Sequence, residues 1–454
     1  MKHLHYIYTL LFGVSVILFF GLAYPHHLHY QEQYQLFLFD SAYVWEIVKL
    51  PGGVADLLGR FCTQFFLYAW VGAIVIGLLL SAVQLLTLRL FNYPLSIINC
   101  QLFFGLSFVP SFLLWLFLLD ENALLGGVWS VLITLLAACA YLRLPSGWVR
   151  RIVILVTLPV LYWMVGPAYS GTHYYRNPAV FPTLLYVAWL SAIVLPLAVR
   201  ILPTASVPSG QRKQIVLYSL FTFTLVSLVM GTLVWKNSNF KAEKVMQYDF
   251  MARYQQWNRI LETVNAERPN NQIGVTVQNL ALAMHGMLAD HLSSYNQNGI
   301  AGLLPDVQRD ATSPLPTAEV FYQLGMTYVA QRTVFEAQEA ILDFQKSGRC
   351  YKRLAQTNLI NGSYEVARKY LLALQKTLFY RDWANETLPL LGDEKAIANH
   401  PEYGRLRQMA YDGDFYFGDR VTHEMLERLY FSNRDNRLAY EYLVAYRLLT
   451  NFEH

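Results

Sequence analysis

Seven side chains able to do chemistry lie in two short stretches that flank apolar runs. His26, His27, His29, Glu32 and Asp40 follow the first run, and Asp120 and Glu121 sit together at the tip of another. Imidazole and carboxylate ligands suit zinc or another transition metal, and His173 comes from a further loop that could approach them. The histidines lack the i, i+4 pair of a helical zinc motif, and interfacial histidines are common, so ordinary interfacial placement is the simpler reading. The carboxylates have the types needed for a general base and for a divalent cation that neutralises a leaving phosphate. Solvated acids at a bilayer surface are the other reading of the same residues.

The elements that must position these groups are set by composition. Of 454 residues, 55% are hydrophobic and only 15% charged, with a mean hydropathy of +0.28. A soluble surface needs roughly 25% charge, which excludes an ordinary soluble enzyme. The charge is also uneven. Residues 1–235 hold 11 Lys and Arg and 6 Asp and Glu, leaving 24 and 25 for the remainder. This predicts a transmembrane domain over 1–235 and a water-soluble one over 236–454. The small basic excess sits in the membrane half, where it sets topology, so nucleic acid is not a partner. No phosphate loop, dinucleotide fingerprint or Cys/His zinc framework occurs, and residues 412–418 lack the spacing of a calcium loop.

A helix crossing about 30 Å of hydrocarbon needs about 20 apolar residues. Seven windows qualify: 6–24, 64–88, 97–119, 124–142, 151–169, 180–202 and 215–235. The third is interrupted by Asn99, Gln101 and Pro110. The first is too long for a signal-peptide core and is expected to stay as an anchor. With the N-terminus inside, the cytoplasmic side receives Lys2, Arg89, Arg143, Arg150, Arg151, Arg200, Arg212 and Lys213, against Lys49, Arg60 and Arg176 outside. Positive flanks resist translocation, so seven crossings put the C-terminal domain in the periplasm of a bacterial inner membrane, with the bilayer as its first partner. The 25–63 loop is amphipathic, with interfacial helices expected at 34–48 and 54–66 broken by Pro51-Gly52-Gly53 and anchored by aromatic residues. Gln84, Asn99 and Gln101 read as interhelical glue, and no span carries a mid-membrane charge, which argues against a proton-coupled transporter. The four cysteines form no disulfide framework, and Cys350 is expected to be a buried free thiol.

The soluble half carries helical periodicity with few β-branched alternations, so the whole chain is expected to be all-α. Phe321, Leu324, Gly325, Tyr328, Val334 and Ala337 have the spacing of two antiparallel helices, and Tyr351, Leu354, Ala355, Gly362, Tyr364, Ala367 and Leu371 repeat it. This resembles degenerate tetratricopeptide (TPR-like) repeats, with Gly325, Ala355, Ala337 and Ala367 as the small residues at helix crossings. Residues 304–316 and 385–401 read as connecting loops. Such repeats offer a concave binding surface and do no chemistry themselves.

Two further resemblances bear on function. The layout of outer acids, juxtamembrane helices after the first span and an external C-terminal domain resembles GT-C membrane glycosyltransferases. That resemblance implies a prenyl-phosphate-linked sugar donor, Glu32 as base, and Asp40, Asp120 and Glu121 as metal or acceptor contacts, with a divalent cation as cofactor. Lys49 and Arg60 are the basic residues available there to a phosphate. The run HLHYQEQYQLF, then LPGGVADLLGRF, then LLDENALLGG, before a helical tail, is similar to an uncharacterised family of polytopic bacterial membrane proteins, a domain of unknown function. Two functional expectations follow. The leading one is a non-enzymatic inner-membrane protein, with no cofactor, that presents its helical domain to an envelope protein in an assembly or polysaccharide process; the alternative is a GT-C-like glycosyltransferase.

Overall fold

The computed structural model describes residues 2–92, 104–145, 147–166, 183–201, 212–306, 313–341, 345–411 and 422–452. Regular structure among them is helical, with one isolated bridge between Asn298 and Ile300, so the chain is all-α. It divides into two compact units, Met1–Phe240 and Lys241–His454.

The first unit runs through α1 (Lys2–Leu18), α2 (Pro25–Glu32), α3 (Ser41–Val48), α4 (Gly53–Thr63), α5 (Ala69–Asn92), α6 (Val109–Phe117), α7 (Gly126–Leu142), α8 (Trp148–Val165), α9 (Thr183–Ile201) and α10 (Arg212–Asn237). Among the described residues four helical stretches are long and apolar enough to cross a membrane: His5–Ala23, Ala69–Phe91, Trp148–Val165 and Val216–Asn237. The chain therefore has the makings of a membrane protein. Within the described residues the windows 97–119, 124–142 and 180–202 carry shorter apolar helices, Phe104–Phe117, Gly126–Leu142 and Thr183–Ala198; residues 97–103, 180–182 and 202 lie outside them. For the first of these the reason is local. Pro110 lacks an N–H to donate backward, so residues 104–108 wind as a 3₁₀ turn and the α-helix begins only at Val109. A Cβ at Gly105 would lie 2.6 Å from the Thr222 carbonyl carbon of α10, so that turn packs where only glycine fits.

Aromatic rings fill the core of this unit. Phe12 meets Phe108, Phe112 and Trp115 edge-on, in the arrangement that ring quadrupoles favour. Through this core runs one polar thread. The Thr9 hydroxyl donates to Gln84 Oε1 at 2.8 Å, and Gln84 Nε2 donates to Ser107 Oγ at 2.9 Å, so Gln84 ties three segments together. Asn99 and Gln101 lie outside the described residues.

The second unit comprises α11 (Phe240–Arg253), α12 (Trp257–Glu267), α13 (Gln272–Met284), α14 (Leu288–His291), α15 (Pro314–Leu324), α16 (Thr327–Glu339), α17 (Gly348–Ile360), α18 (Tyr364–Gln375), α19 (Arg381–Thr387), α20 (Glu394–Asn399), α21 (Tyr403–Met409), α22 (Thr422–Ser432) and α23 (Arg437–Phe452). Helices α15 with α16 and α17 with α18 form tightly packed consecutive pairs. Ala337, Ala355 and Ala367 are fully buried, and Cys350 is buried and in no disulfide. Two expectations are corrected. Pro314 and Pro316 start α15, where a missing N–H costs nothing, and the 385–401 stretch holds the end of α19 and all of α20.

Gly325 does a second job besides the one expected. It terminates α15 in a left-handed conformation, φ +88°, as Gly362 does for α17 at φ +79°. The two differ in their surroundings. A Cβ at Gly362 meets nothing within 4 Å, whereas at Gly325 it would meet Met409 Cβ at 2.9 Å and its carbonyl oxygen at 3.0 Å. Gly362→Ala is therefore expected to cost about 1 kcal/mol from backbone conformation alone. Gly325→Ala should cost about 2–4 kcal/mol, because overpacking adds to the same penalty. Urea unfolding of the two variants side by side checks this; equal losses would mean that α21 yields without cost.

Candidate functional site

The 25–63 segment folds as α2, α3 and α4. Pro25 occupies the first turn of α2, with its φ preset for a helix. This helix has no apolar face: His27, His29, Gln31 and Glu32 are all buried. A polar side chain taken out of water without a partner costs about 1–3 kcal/mol, so these groups must find bonds inside. His27 and Gln31 find them on the turn that precedes α7. His27 Nε2 stands 2.9 Å from the Leu118 carbonyl oxygen, to which its proton is donated. Gln31 Nε2 donates to the carbonyls of Ala123 at 3.1 Å and Asp120 at 3.3 Å. One turn on, Gln35 Oε1 accepts from the Thr63 hydroxyl of α4 at 3.2 Å, and the Tyr34 hydroxyl donates to that of Tyr30 at 2.6 Å. The first polar loop is thus a buried latch that holds the 118–125 turn by its backbone.

The four acids fall as follows. Glu32 ends α2 and is 5% exposed. Asp120 accepts from the Asn122 backbone N–H at 2.8 Å and from Asn122 Nδ2 at 3.2 Å, closing the turn. Glu121 lines a crevice with Gln31, Tyr34, Gln35 and Thr63 that is too narrow for a water molecule. So the structure brings α2 together with the Asp120–Glu121 turn. Asp40 instead caps α3, accepting from the N–H groups of Ala42 at 2.9 Å and Tyr43 at 3.2 Å, as an N-cap aspartate does.

Burial raises the Glu121 carboxyl above the usual carboxylate range, and the neighbouring Asp120 charge adds to the rise. A folded carboxyl raised above its unfolded value binds its proton more tightly when folded, so stability falls as pH rises through the acid range. Glu121→Gln is therefore expected to stabilise the protein at pH 7 and to flatten that fall. Thermal unfolding of both proteins between pH 4 and pH 8 checks it, and parallel curves would mean that Glu121 is solvated.

The histidines do not converge. His26 Nδ1 lies 3.4 Å from His29 Nδ1, while His27 is taken by Leu118. Among the described residues no three His, Cys, Asp or Glu side chains are grouped to hold a metal, and His173 lies outside those residues. Sequence reasoning passed over one pair. Arg60 Nη2 lies 2.7 Å from Asp56 Oδ2, one helical turn away on α4, with both side chains nearly buried. Burial alone would pull the Arg60 guanidinium down, but the Asp56 charge and then Tyr43 outweigh it and keep the group protonated. Arg60 is committed to Asp56, which leaves Lys49 as the basic residue of the loop open to a phosphate. The i, i+4 spacing of the pair was the available signal.

No curated protein and no solved structure matches the chain. A family of unknown function (DUF6057) matches over residues 2–172 and 167–451, which together span nearly the whole sequence, and the chain belongs to that family.

Proposed function

We propose that the chain is an integral protein of a bacterial inner membrane, with seven crossings and a cytoplasmic N-terminus. In this reading it presents a periplasmic TPR-like domain to a partner protein in envelope assembly or a polysaccharide process. The observation that carries it is the stacking of helix pairs. α15 and α17 begin about one 34-residue repeat apart, and two cross-repeat contacts, Arg353 with Glu319 and Thr327 with Asn361, join residues 34 apart. That regularity supports a solenoid whose surface is its working part. The outer side of α16 adds an anchor of the kind interfaces use: Tyr328 and Phe335, two turns apart, are 61% and 50% exposed.

The test has two arms. A periplasm-dependent reporter fused after Trp235 should be active, and a cytoplasmic result overturns the seven-span reading. Gentle purification from native membrane should recover an envelope protein in stoichiometric amount, lost in the Tyr328→Ser/Phe335→Ser double variant while the helical content stays. A bound prenyl-phosphate sugar with no protein would instead favour the transferase.

A further inference from the structure

Four large apolar side chains of the α3–α4 hairpin are exposed: Phe39, Trp45, Leu50 and Phe61, with Trp45 at 68%. The hairpin is fastened to the end of α8. Trp163 donates through its indole Nε1 to the Val48 carbonyl at 2.9 Å, and the Gly52 N–H donates to the Trp163 carbonyl at 2.8 Å. That carbonyl belongs to the last turn of α8, where a helix leaves acceptors unpaired, so the bend between α3 and α4 caps the span. Beyond the bend, Ala55 packs with Val165, and Val54, Leu58, Leu161 and Met164 surround them.

This attachment fixes a depth. α8 has 18 residues, which at about 1.5 Å each measure about 27 Å, close to the ~30 Å of a bilayer's hydrocarbon. Val165 is its buried residue, so in a bilayer the flanks of α8 are clad in lipid. Trp163 lies about 3 Å short of the helix end, which sets Val48 and Gly52 at the boundary between hydrocarbon and headgroups. α3 in turn has three sides. At about 100° per residue, Tyr43 and Ile47 share the covered side, where Ile47 is buried and Tyr43 bonds to Arg60 of α4. Val44, Val48 and Trp45 follow in order around one flank, and the exposed Ala42 and Glu46 occupy the other. Core, apolar flank and polar flank together are the division expected of a helix held at a bilayer boundary, with tryptophan at headgroup depth.

We infer that the α3–α4 hairpin is a membrane-inserted element whose partner is the phospholipid monolayer. Val44, Val48, Trp45 and Leu50 meet the upper acyl chains, and Glu46 meets water among the headgroups. Phe39 and Phe61, whose rings meet edge-on at 6.4 Å, extend the apolar surface onto α4. The exposed side chains are thereby taken out of water without any second protein. The inference rests on α8 crossing a membrane, whichever way its ends face, and not on the number of spans or on a partner of the helical unit.

The test is photocrosslinking of the full chain in its native membrane, with p-benzoylphenylalanine in place of Trp45, Glu46, Leu50 or Leu155, one at a time, and mass spectrometry of the adducts. Each variant is first checked for the wild-type elution volume in size-exclusion chromatography. Leu155, exposed near the middle of α8, is the reference for a lipid-facing position. Phospholipid adducts are expected at positions 45, 50 and 155, with the adduct lost at 46. The inference is overturned if, with the adduct at 155 present, position 45 or 50 captures a protein or nothing, or if 46 captures phospholipid as efficiently as 45. Loss of the adduct at 155 as well overturns the span on which the inference rests, and so is told apart from a failure at α3 alone. A cytoplasmic reporter after Trp235 changes the span count and leaves these expectations as they are.

Discussion

Arg349→Met is expected to destabilise the helical unit by about 3–5 kcal/mol, among the largest effects of any single side chain in it. Arg349 holds Asp249 through two bonds, Nη1 to Oδ2 at 2.6 Å and Nη2 to Oδ1 at 2.8 Å, and so pins α11 to the first turn of α17. Its side chain is 6% exposed and that of Asp249 14%. Removing the guanidinium strands a carboxylate that the fold cannot rehydrate, which costs more than the pair itself contributes. The double variant Arg349→Met/Asp249→Leu should therefore recover most of the loss. Urea unfolding of the wild type, the single variant and the double variant decides the matter. A single-variant loss under about 1 kcal/mol would mean that the pair behaves as a solvated surface bridge.

In the membrane unit the largest effect is expected at Gly59. Here α4 crosses α7 so closely that a Cβ on Gly59 would lie 2.4 Å from the Gly126 nitrogen and 2.7 Å from its Cα. Both atoms are backbone, so no side chain can rotate out of the way. Small residues let helix backbones approach within a bilayer, and their replacement forces the helices apart. Gly59→Ala should cost about 1–3 kcal/mol, and Gly59→Leu more, enough to lose folded protein in detergent. Gly231 on α10 is the control, since a Cβ there meets nothing within 4 Å. Gly231→Ala is expected to be neutral or to gain up to about 1 kcal/mol from helix propensity. Heat-resistance of the three purified variants, read by size-exclusion chromatography, separates these outcomes; equal behaviour at both sites would remove the close-crossing argument.

How much could be read in advance depended on whether a residue's partner was close in sequence. The all-helical class follows from periodicity, and the two breaks at Pro51–Gly53 and after Ile360 are marked by glycines that adopt left-handed backbone at Gly52 and Gly362. At Gly325 the expected role of a small residue at a close approach is joined by a left-handed backbone, since the residue packs against Met409 and also needs φ +88°. In the window 97–119, Pro110 and Gly105 set the winding of the part that is described, a 3₁₀ turn before the α-helix, and residues 97–103 lie outside the described residues. In the candidate site, the helix expected over 34–48 starts only at Ser41, with Asp40 as its cap, whereas the Asp56–Arg60 pair was legible from its spacing. The bonds of His27 and Gln31 to backbone carbonyls near residue 120 were not, since a side chain that meets a main-chain oxygen leaves no mark on the residue type it contacts.

That latch also sets an order of events during synthesis. His27 and its Leu118 acceptor are 91 residues apart, and Gln31 and Ala123 are 92 apart. A ribosome adding about 5–20 residues per second needs between about 5 and 20 s to supply the second half of each contact. For that interval the polar groups of α2 must find water or other partners, and α2 becomes fixed only when the turn before α7 emerges to receive it.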